Sequence, residues 1–250
     1  MRLTIITGAS RGLGAALAEA LMAPDHRLVC MARSAMSALQ NRAASRGCLV
    51  DARRVDLCDV SKAVAALEDS LAAVSPETLT EICLINNAGT VEPVRPAQRL
   101  LSDEIAASVT LNLSAPMALT SAFLRLTSGW PAQKRIVNIT SGAAHKAYEG
   151  WSVYCATKAA LDHFTRCVAL EQQQLPRGAR IASLAPGMID TDMQAVIRAL
   201  APGDFKEQSR FLALKESGAL ATPEDAARRL IHHIEANDFG AEPVVDLRRI

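Results

Sequence analysis

The chain has 250 residues, of which 50% are hydrophobic and 4% aromatic, and its formal net charge is +1. This length is enough for one large α/β domain. The near-neutral charge leaves no broad electrostatic attraction for nucleic acid or an anionic membrane, because such binding needs clustered excess cations. The six cysteines contain no C-x-x-C pair and the five histidines no H-x-x-x-H, so we expect neither a disulfide framework nor a metal site.

Short apolar runs rich in β-branched residues recur along the chain and are typical of buried strands. The first run, with its preceding arginine, is broken by glycines from Gly8 onward, before a signal-peptide core or a membrane span is reached, so we expect a cytoplasmic protein. The predicted strands are residues 3–7, 27–31, 48–55, 82–85, 135–139, 179–184 and 243–246.

Longer stretches with helical composition separate these runs, at residues 12–22, 61–74, 102–126, 152–174 and 223–235. Asp59 or Ser61 is a candidate cap for the second helix, and Thr222 before Pro223 for the last. Regular alternation of strand and helix predicts a single Rossmann-type domain over residues 1–250, with a doubly wound parallel sheet of about seven strands and helices on both faces. Residues 185–221 interrupt the alternation, contain Pro202-Gly203, and are predicted to form a helical flap over the site.

A glycine-rich turn links the first strand to the first helix. Backbone passes close to a ligand at such glycines, and the N–H groups at the helix start suit a pyrophosphate. The spacing is G-x-x-x-G-x-G, which also fits a tight turn with close helix packing. The candidate cofactor residues here are Gly8, Ser10, Arg11, Gly12, Leu13 and Gly14.

The end of the second predicted strand distinguishes two nicotinamide cofactors. An acidic residue there binds the ribose hydroxyls of NAD, whereas a cation accommodates the extra phosphate of NADP. The sequence has Arg33 and no acid from Met31 to Ser37. Arg33 and Arg11 are suited to charge-assisted contacts with a 2′-phosphate, so NADP(H) is predicted; the alternative is that both arginines are solvated surface residues.

Tyr154 and Lys158 are four residues apart within a predicted helix, so their side chains leave the same face. A free tyrosine has a pKa of about 10, and a nearby ammonium favours the phenolate. The pair is therefore a candidate for proton transfer. An isolated Y-x-x-x-K also occurs as ordinary packing or a surface pair.

Several motifs accompany this pair in a fixed order along the chain. They are the turn ending at Gly14, Asn86-Asn87-Ala88-Gly89 after the fourth strand, Asn112 in a helix, Ser141 after the fifth strand, Tyr154 with Lys158, and Pro186-Gly187 after the sixth. With them the sequence resembles the short-chain dehydrogenases/reductases over essentially its whole length. The resemblance implies an oxidoreductase with a nicotinamide cofactor.

The resemblance also implies roles for individual residues. Tyr154 would protonate the carbonyl oxygen, Ser141 would hydrogen-bond the same oxygen, and Lys158 would lower the pKa of Tyr154 and hold the nicotinamide ribose. Asn112 would keep a water that links Lys158 to solvent. The other implied cofactor residues are Asp56 and Leu57 near the adenine, Asn87, Ala88 and Gly89 along the dinucleotide, and Pro186, Gly187, Met188, Ile189, Thr191 and Met193 at the nicotinamide end.

Residues 150–160 and 185–194 resemble the sepiapterin reductase and bacterial benzil reductase branch of the family more specifically. This implies an NADPH-dependent reductase of a small ketone, such as a vicinal dicarbonyl or a pterin side-chain ketone. The alternatives are a 3-oxoacyl-carrier-protein reductase and a non-catalytic NADP(H)-sensing protein. Candidate substrate residues are Ser141, Trp151, Tyr154, Gly187, Met188 and, by resemblance to the pterin-anchoring acid, Asp246; Met193, Phe205 and Phe211 are further candidates for the pocket wall.

The predicted partners are a small-molecule carbonyl substrate and copies of the chain itself, with no nucleic acid and no membrane. The long apolar helices at residues 102–126 and 152–174 are suited to pairing across a two-fold axis, which favours a homodimer or a homotetramer.

Overall fold

The computed structural model describes residues 1–200 and 203–249, and its strands form one parallel sheet in the order β3-β2-β1-β4-β5-β6-β7. The predicted doubly wound sheet is confirmed, and each predicted strand is present with small shifts at its ends. The strands are β1 (Arg2–Thr7), β2 (His26–Ala32), β3 (Leu49–Arg54), β4 (Glu81–Asn86), β5 (Gln133–Ile139), β6 (Arg180–Ala185) and β7 (Val244–Asp246).

Helices cover both faces of the sheet. They are α1 (Gly12–Ala20), α2 (Ser37–Ser45), α3 (Val60–Ala72), α4 (Ser102–Val109), α5 (Ala115–Thr127), α6 (Ser152–Gln173), α7 (Asp192–Arg198), α8 (Gln208–Glu216) and α9 (Pro223–Glu235). Of the two candidate caps for α3, Asp59 is the one used, accepting a hydrogen bond from the Lys62 N–H at 3.2 Å. Thr222 caps α9 as predicted, accepting from the Asp225 N–H at 3.0 Å.

Two helical regions differ from expectation. The sequence indicates no helix at α2, because only Leu39 and Ala43 of this helix are buried and the apolar period is correspondingly weak. The predicted helix at residues 102–126 is interrupted by a π-helical turn, Thr110–Ser114, between α4 and α5. One extra residue in a turn rotates the side chains that follow it, and such turns are frequent at functional sites.

The core consists of two apolar layers, one on each face of the sheet. Alternate residues of a strand face opposite sides, so Ile6 packs in the layer beneath α1, α2 and α9, while Ile5 packs in the layer beneath α3, α5 and α6. The stretch Ser102–Thr127 is long and apolar enough to cross a membrane by length and composition. In this fold it packs as a core helix, with Leu119 and Phe123 buried in the second layer.

The sheet places the carboxyl ends of β1 and β4 next to each other. From β1 the chain runs outward to β2 and β3, then returns to β4 on the other side and continues to β7. Ligands of doubly wound sheets bind at this change of direction. The Thr7 hydroxyl joins the two strand ends, accepting hydrogen bonds from the N–H groups of Asn87 at 2.9 Å and Ala88 at 3.1 Å.

The predicted flap at residues 185–221 contains α7 and α8. Ala201 and Pro202, part of the proline-glycine motif in the flap, lie outside the described residues. Ile189 and Ala221 form a parallel β-bridge that brings the two ends of the flap together. The flap is therefore anchored at its base beside the carboxyl end of the sheet.

Candidate active site

A cavity of about 530 Å³ opens at the carboxyl ends of the strands. It brings together residues that are far apart in the sequence, from Gly8 after β1 to Gly187 after β6. The predicted site residues that line it are Gly8, Ser10, Arg11, Gly12, Leu13, Gly14, Arg33, Asp56, Leu57, Asn87, Ala88, Gly89, Ser141, Trp151, Tyr154, Lys158, Pro186, Gly187, Met188, Ile189, Thr191 and Met193. Asn112 and Asp246 do not line it, for reasons given below.

The glycine-rich turn needs its glycines for close approach and for backbone conformation. Gly8 and Gly12 have φ of +69° and +54°, in the region that favours glycine. A Cβ on Gly14 would lie 2.2 Å from the Gly8 carbonyl oxygen. No side chain caps the start of α1, and the first residues of this helix, Gly12, Leu13 and Gly14, line the cavity. This cradle of backbone donors fits the pyrophosphate of a dinucleotide.

Two arginines of the predicted 2′-phosphate site line the same end of the cavity. Arg33 follows β2 and is exposed. Arg11 has a carboxylate partner, because its guanidinium lies 3.0 Å from Asp192 of α7. Arg33 is therefore more available than Arg11 to a phosphate of the ligand, because Arg11 is already paired with Asp192.

Ser141, Tyr154 and Lys158 converge at the other end of the cavity. Ser141 follows β5, and its hydroxyl accepts a hydrogen bond from the Ala143 N–H at 3.2 Å and interacts with the Tyr154 phenol. Lys158, one turn after Tyr154 on α6, donates to the Ile139 carbonyl at 2.8 Å. Its ammonium nitrogen lies 5.8 Å from the centre of the Tyr154 ring. The predicted juxtaposition of these three side chains is therefore present.

The pKa values of the pair differ from the simplest expectation. Burial raises the pKa of Tyr154, and the hydrogen bond with Ser141 opposes this effect only in part. Burial also lowers the pKa of Lys158 to about 8. Desolvation is thus the largest effect on both groups, and the lowering of the Tyr154 pKa by Lys158 remains a prediction. A phenol that keeps its proton is suited to act as an acid.

Asn112 lies in the π-helical turn and is 1% exposed. Its side-chain oxygen accepts from the Thr90 N–H, and its amide donates to the Thr90 carbonyl, both at 2.8 Å. Asn112 thus fixes the loop after β4 instead of lining the cavity. The space near its oxygen is restricted, since a Cβ on Gly89 would lie 3.1 Å from that oxygen and 3.7 Å from the Lys158 nitrogen.

Asp162 does not belong to the predicted site residues and is a buried carboxylate one turn beyond Lys158. Its side chain is 1% exposed and lies 3.3 Å from the ring of His145. Burial raises the pKa of Asp162. Its negative charge acts in the opposite direction on Lys158, stabilising the ammonium against desolvation. The i, i+4 spacing on α6 is the sequence signal that places this carboxylate on the same helix face as Lys158.

An aromatic cluster covers the site from the flap. Trp151 stacks on Phe205 with ring centres 4.6 Å apart and an interplanar angle of 20°. The same indole meets Tyr154 edge-on at 5.4 Å and Phe211 at 5.6 Å. Trp151 and Phe211 line the cavity, whereas Phe205 is buried behind them. Phe205 and Phe211 of the flap thereby contact the start of α6.

Asp246 lies at the end of β7, does not line the cavity and is hydrogen-bonded by Arg248. The Arg248 side chain donates to both of its carboxylate oxygens, through Nε at 2.8 Å and through Nη2. Arg248 itself lines the cavity, as do Tyr148 and Arg210, which the sequence argument also overlooked. The substrate contact proposed for Asp246 remains a prediction, with Arg248 placed between this carboxylate and the cavity.

Comparison with known proteins identifies a matching family, similar chains and similar folds. The family model described as short chain dehydrogenase matches residues 2–201. The chain is 38% identical to a benzil reductase ((S)-benzoin forming) of Bacillus cereus, with 98% of both chains covered. It is 34% identical to the sepiapterin reductase of Meriones unguiculatus, covering 97% of this chain and 94% of that one. Its fold is similar to a short-chain dehydrogenase from Sphingobium yanoikuyae in complex with NADPH, with 26% identity, a TM-score of 0.75, and 98% and 87% of the two chains covered.

Proposed function

Because the chain belongs to the short-chain dehydrogenase family and is an oxidoreductase, we propose that it uses NADPH to reduce a small vicinal dicarbonyl. The observation that carries the proposal is the convergence of Ser141, Tyr154 and Lys158 in a cavity that begins at a glycine cradle. The similarity of the chain to benzil reductases supports a dicarbonyl substrate with aromatic substituents.

The choice of NADPH is supported by charge at one end of the cavity. Arg33 follows β2 where an acid would favour NAD, and Arg11 adds a second guanidinium nearby. Asp56 and Leu57, after β3, line the wall on which an adenine would rest. A bound dihydronicotinamide would supply the hydride.

The residues of the chain provide the proton chemistry. Because burial raises its pKa, Tyr154 is a neutral phenol at physiological pH and donates its proton to the carbonyl oxygen of the substrate. Ser141, which interacts with the same phenol, donates a hydrogen bond to that oxygen as negative charge develops on it. Lys158 provides a positive charge below Tyr154 that stabilises the phenolate left behind.

The walls of the substrate end suit a flat, partly aromatic ketone. Trp151, Phe211 and Tyr148 provide aromatic surface, while Met188 and Met193 of the flap provide adaptable thioethers. The stacked Trp151–Phe205 pair holds this surface beside Tyr154. A substrate with an aryl group next to its carbonyl would bury apolar area here and present its oxygen to Ser141.

A substrate panel tests the proposal. Purified protein with NADPH is given benzil, 1-phenylpropane-1,2-dione, sepiapterin and an acetoacetyl thioester, and oxidation of NADPH is followed at fixed pH. We expect the highest kcat/KM with the diketones. Activity confined to the thioester would instead identify a 3-oxoacyl-carrier-protein reductase, and NADPH binding without turnover of any ketone would identify a sensing protein.

We further propose that the protein is a cytoplasmic homo-oligomer. Met117 of α5 is 37% exposed and Leu170 of α6 is 64% exposed, which leaves apolar side chains on the two helices expected to pair. Light scattering coupled to size-exclusion chromatography gives the mass directly, and a monomer at micromolar concentration would contradict this proposal.

A further inference from the structure

A cation that the proposed mechanism does not use lies at the ketone end of the cavity. The Nη2 atom of Arg248 is 3.0 Å from the point that a Cβ on Gly142 would occupy, and Gly142 is adjacent to Ser141. The Cγ and Cδ atoms of Arg248 lie 3.2 and 3.4 Å from the corresponding point on Gly187. Two glycines therefore make room for this side chain beside the hydroxyl groups that bind the carbonyl.

The position of Arg248 is fixed by the protein. Its Nε atom and its backbone N–H both donate to Asp246 Oδ1, at 2.8 and 3.1 Å, and Nη2 donates to Oδ2. The Arg248 side chain is 43% exposed, whereas that of Asp246 is 16% exposed. A carboxylate paired side-on in this way engages two of the five guanidinium N–H groups and leaves the others for a ligand.

Among the described residues, the charged side chains nearest Arg248 carry a net positive charge. Asp246 faces a second cation, because the Arg249 guanidinium is 3.7 Å away, so two arginines share one carboxylate. Arg210 of α8 lines the same cavity and is held by Glu207 and Tyr148. The acidic residues that line the cavity within the described part of the chain are Asp56 near the predicted adenine wall, Asp192, which is paired with Arg11, and Glu92 in the loop after β4.

We propose that Arg248 binds an anionic group of the substrate, and that the preferred substrate is an aromatic 2-oxo carboxylate. This inference rests on the proposed ketone reduction and names the substrate class. A 2-oxo carboxylate has the skeleton of a vicinal diketone in which a carboxylate replaces the second carbonyl. With the ketone oxygen at Ser141 and Tyr154, the carboxylate one bond away meets the guanidinium beside Gly142. Pairing with Asp246 keeps Arg248 charged and oriented before the substrate arrives.

Phenylglyoxylate and its methyl ester form a matched pair that differs in charge. We measure kcat/KM for both with NADPH in the wild type and in Arg248→Gln, and compare the acid-to-ester ratio. The expected result is that the substitution lowers this ratio by about 10- to 100-fold, the usual effect of losing a hydrogen bond to a charged group. Comparing ratios removes the intrinsic difference in reactivity between the acid and the ester.

Arg249→Gln is the control, because Arg249 is 84% exposed and approaches the same Asp246 without lining the cavity. We expect this variant to keep the wild-type ratio. An unchanged ratio in Arg248→Gln, or a wild type that reduces the ester and not the acid, would overturn the anion site while leaving ketone reduction intact. If the wild type reduces neither compound nor any diketone, the proposed function fails. Calorimetric titration of benzoate into the protein with NADP⁺ then tests the anion site at Arg248 independently of turnover. Weaker binding of benzoate by Arg248→Gln than by the wild type supports the site, and equal binding overturns it.

Discussion

Replacement of Arg33 by alanine tests how the chain distinguishes NADPH from NADH. Arg33 is exposed and lines the cavity after β2, and it has no carboxylate partner among the described residues, in contrast to Arg11. A hydrogen bond to a charged group contributes about 1.5–3 kcal/mol, and solvent screening at an exposed site favours the lower value. We therefore expect Arg33→Ala to lower kcat/KM for NADPH about 10-fold, since 1.4 kcal/mol corresponds to a factor of about ten.

The assay varies each cofactor at a saturating concentration of one diketone. NADH has no 2′-phosphate, so its kcat/KM should stay close to the wild-type value. Arg11→Ala should have a smaller effect than Arg33→Ala, because Arg11 already interacts with Asp192 at 3.0 Å. Arg46→Ala, which removes an exposed guanidinium outside the cavity lining, is the charge control. Equal losses for both cofactors in Arg33→Ala would refute the assignment of a phosphate contact to this residue.

Three further substitutions or conditions have defined outcomes. Gly14→Ala places a Cβ 2.2 Å from the Gly8 carbonyl oxygen, so NADPH binding measured by calorimetry should be lost or the protein should fail to fold. Wild-type affinity for NADPH would contradict the assignment of the glycine-rich turn as the pyrophosphate site. Trp151→Ala removes the stack on Phe205 and should lower the free energy of unfolding by about 3–5 kcal/mol in denaturant titrations. The same variant should have a raised KM for aromatic ketones, and an unchanged KM would show that the aromatic cluster does not bind the substrate. Lys158 has a pKa of about 8, so kcat/KM for reduction should fall as pH rises through that value and the ammonium is lost. A flat rate profile from pH 7 to 9 would contradict this assignment. Because the folded pKa lies below the ordinary lysine value of 10.5, the unfolded chain binds more protons between the two values, and the contribution of Lys158 to stability should rise with pH over that window.

Most of the sheet was predictable from sequence because its central strands are buried on both faces. A parallel strand covered on both sides is a short continuous apolar run, as in β1 and β4, whereas the edge strand β3 contains three charged residues and is only partly buried. Helix α2 was missed because it buries only Leu39 and Ala43, so its apolar period is weak. The π-helical turn at Thr110–Ser114 was missed because local composition does not distinguish it from the α-helices on either side.

The site was predictable where a residue type and its place after a strand determine its chemistry. Gly14 and Ser141 are examples, since each follows a strand whose carboxyl end faces the cavity. The direction in which a side chain points is not determined by residue type and position in this way. Val245-Asp246-Leu247 indicates an acid near the substrate, yet the structure pairs that acid with Arg248 and places the guanidinium at the cavity wall. The pKa of Tyr154 likewise depends on burial, which spacing on a helix does not reveal.

The most direct test of the central claim is ketone reduction by Tyr154→Phe, measured together with NADPH binding. A positioned general acid contributes about 10²- to 10⁴-fold to the rate, so diketone reduction at pH 7 should fall by at least about 100-fold. The aromatic ring and its edge-on contact with Trp151 are retained in this variant, so NADPH should bind with nearly wild-type affinity. Wild-type turnover by Tyr154→Phe with NADPH bound would contradict the assignment of Tyr154 as the proton donor.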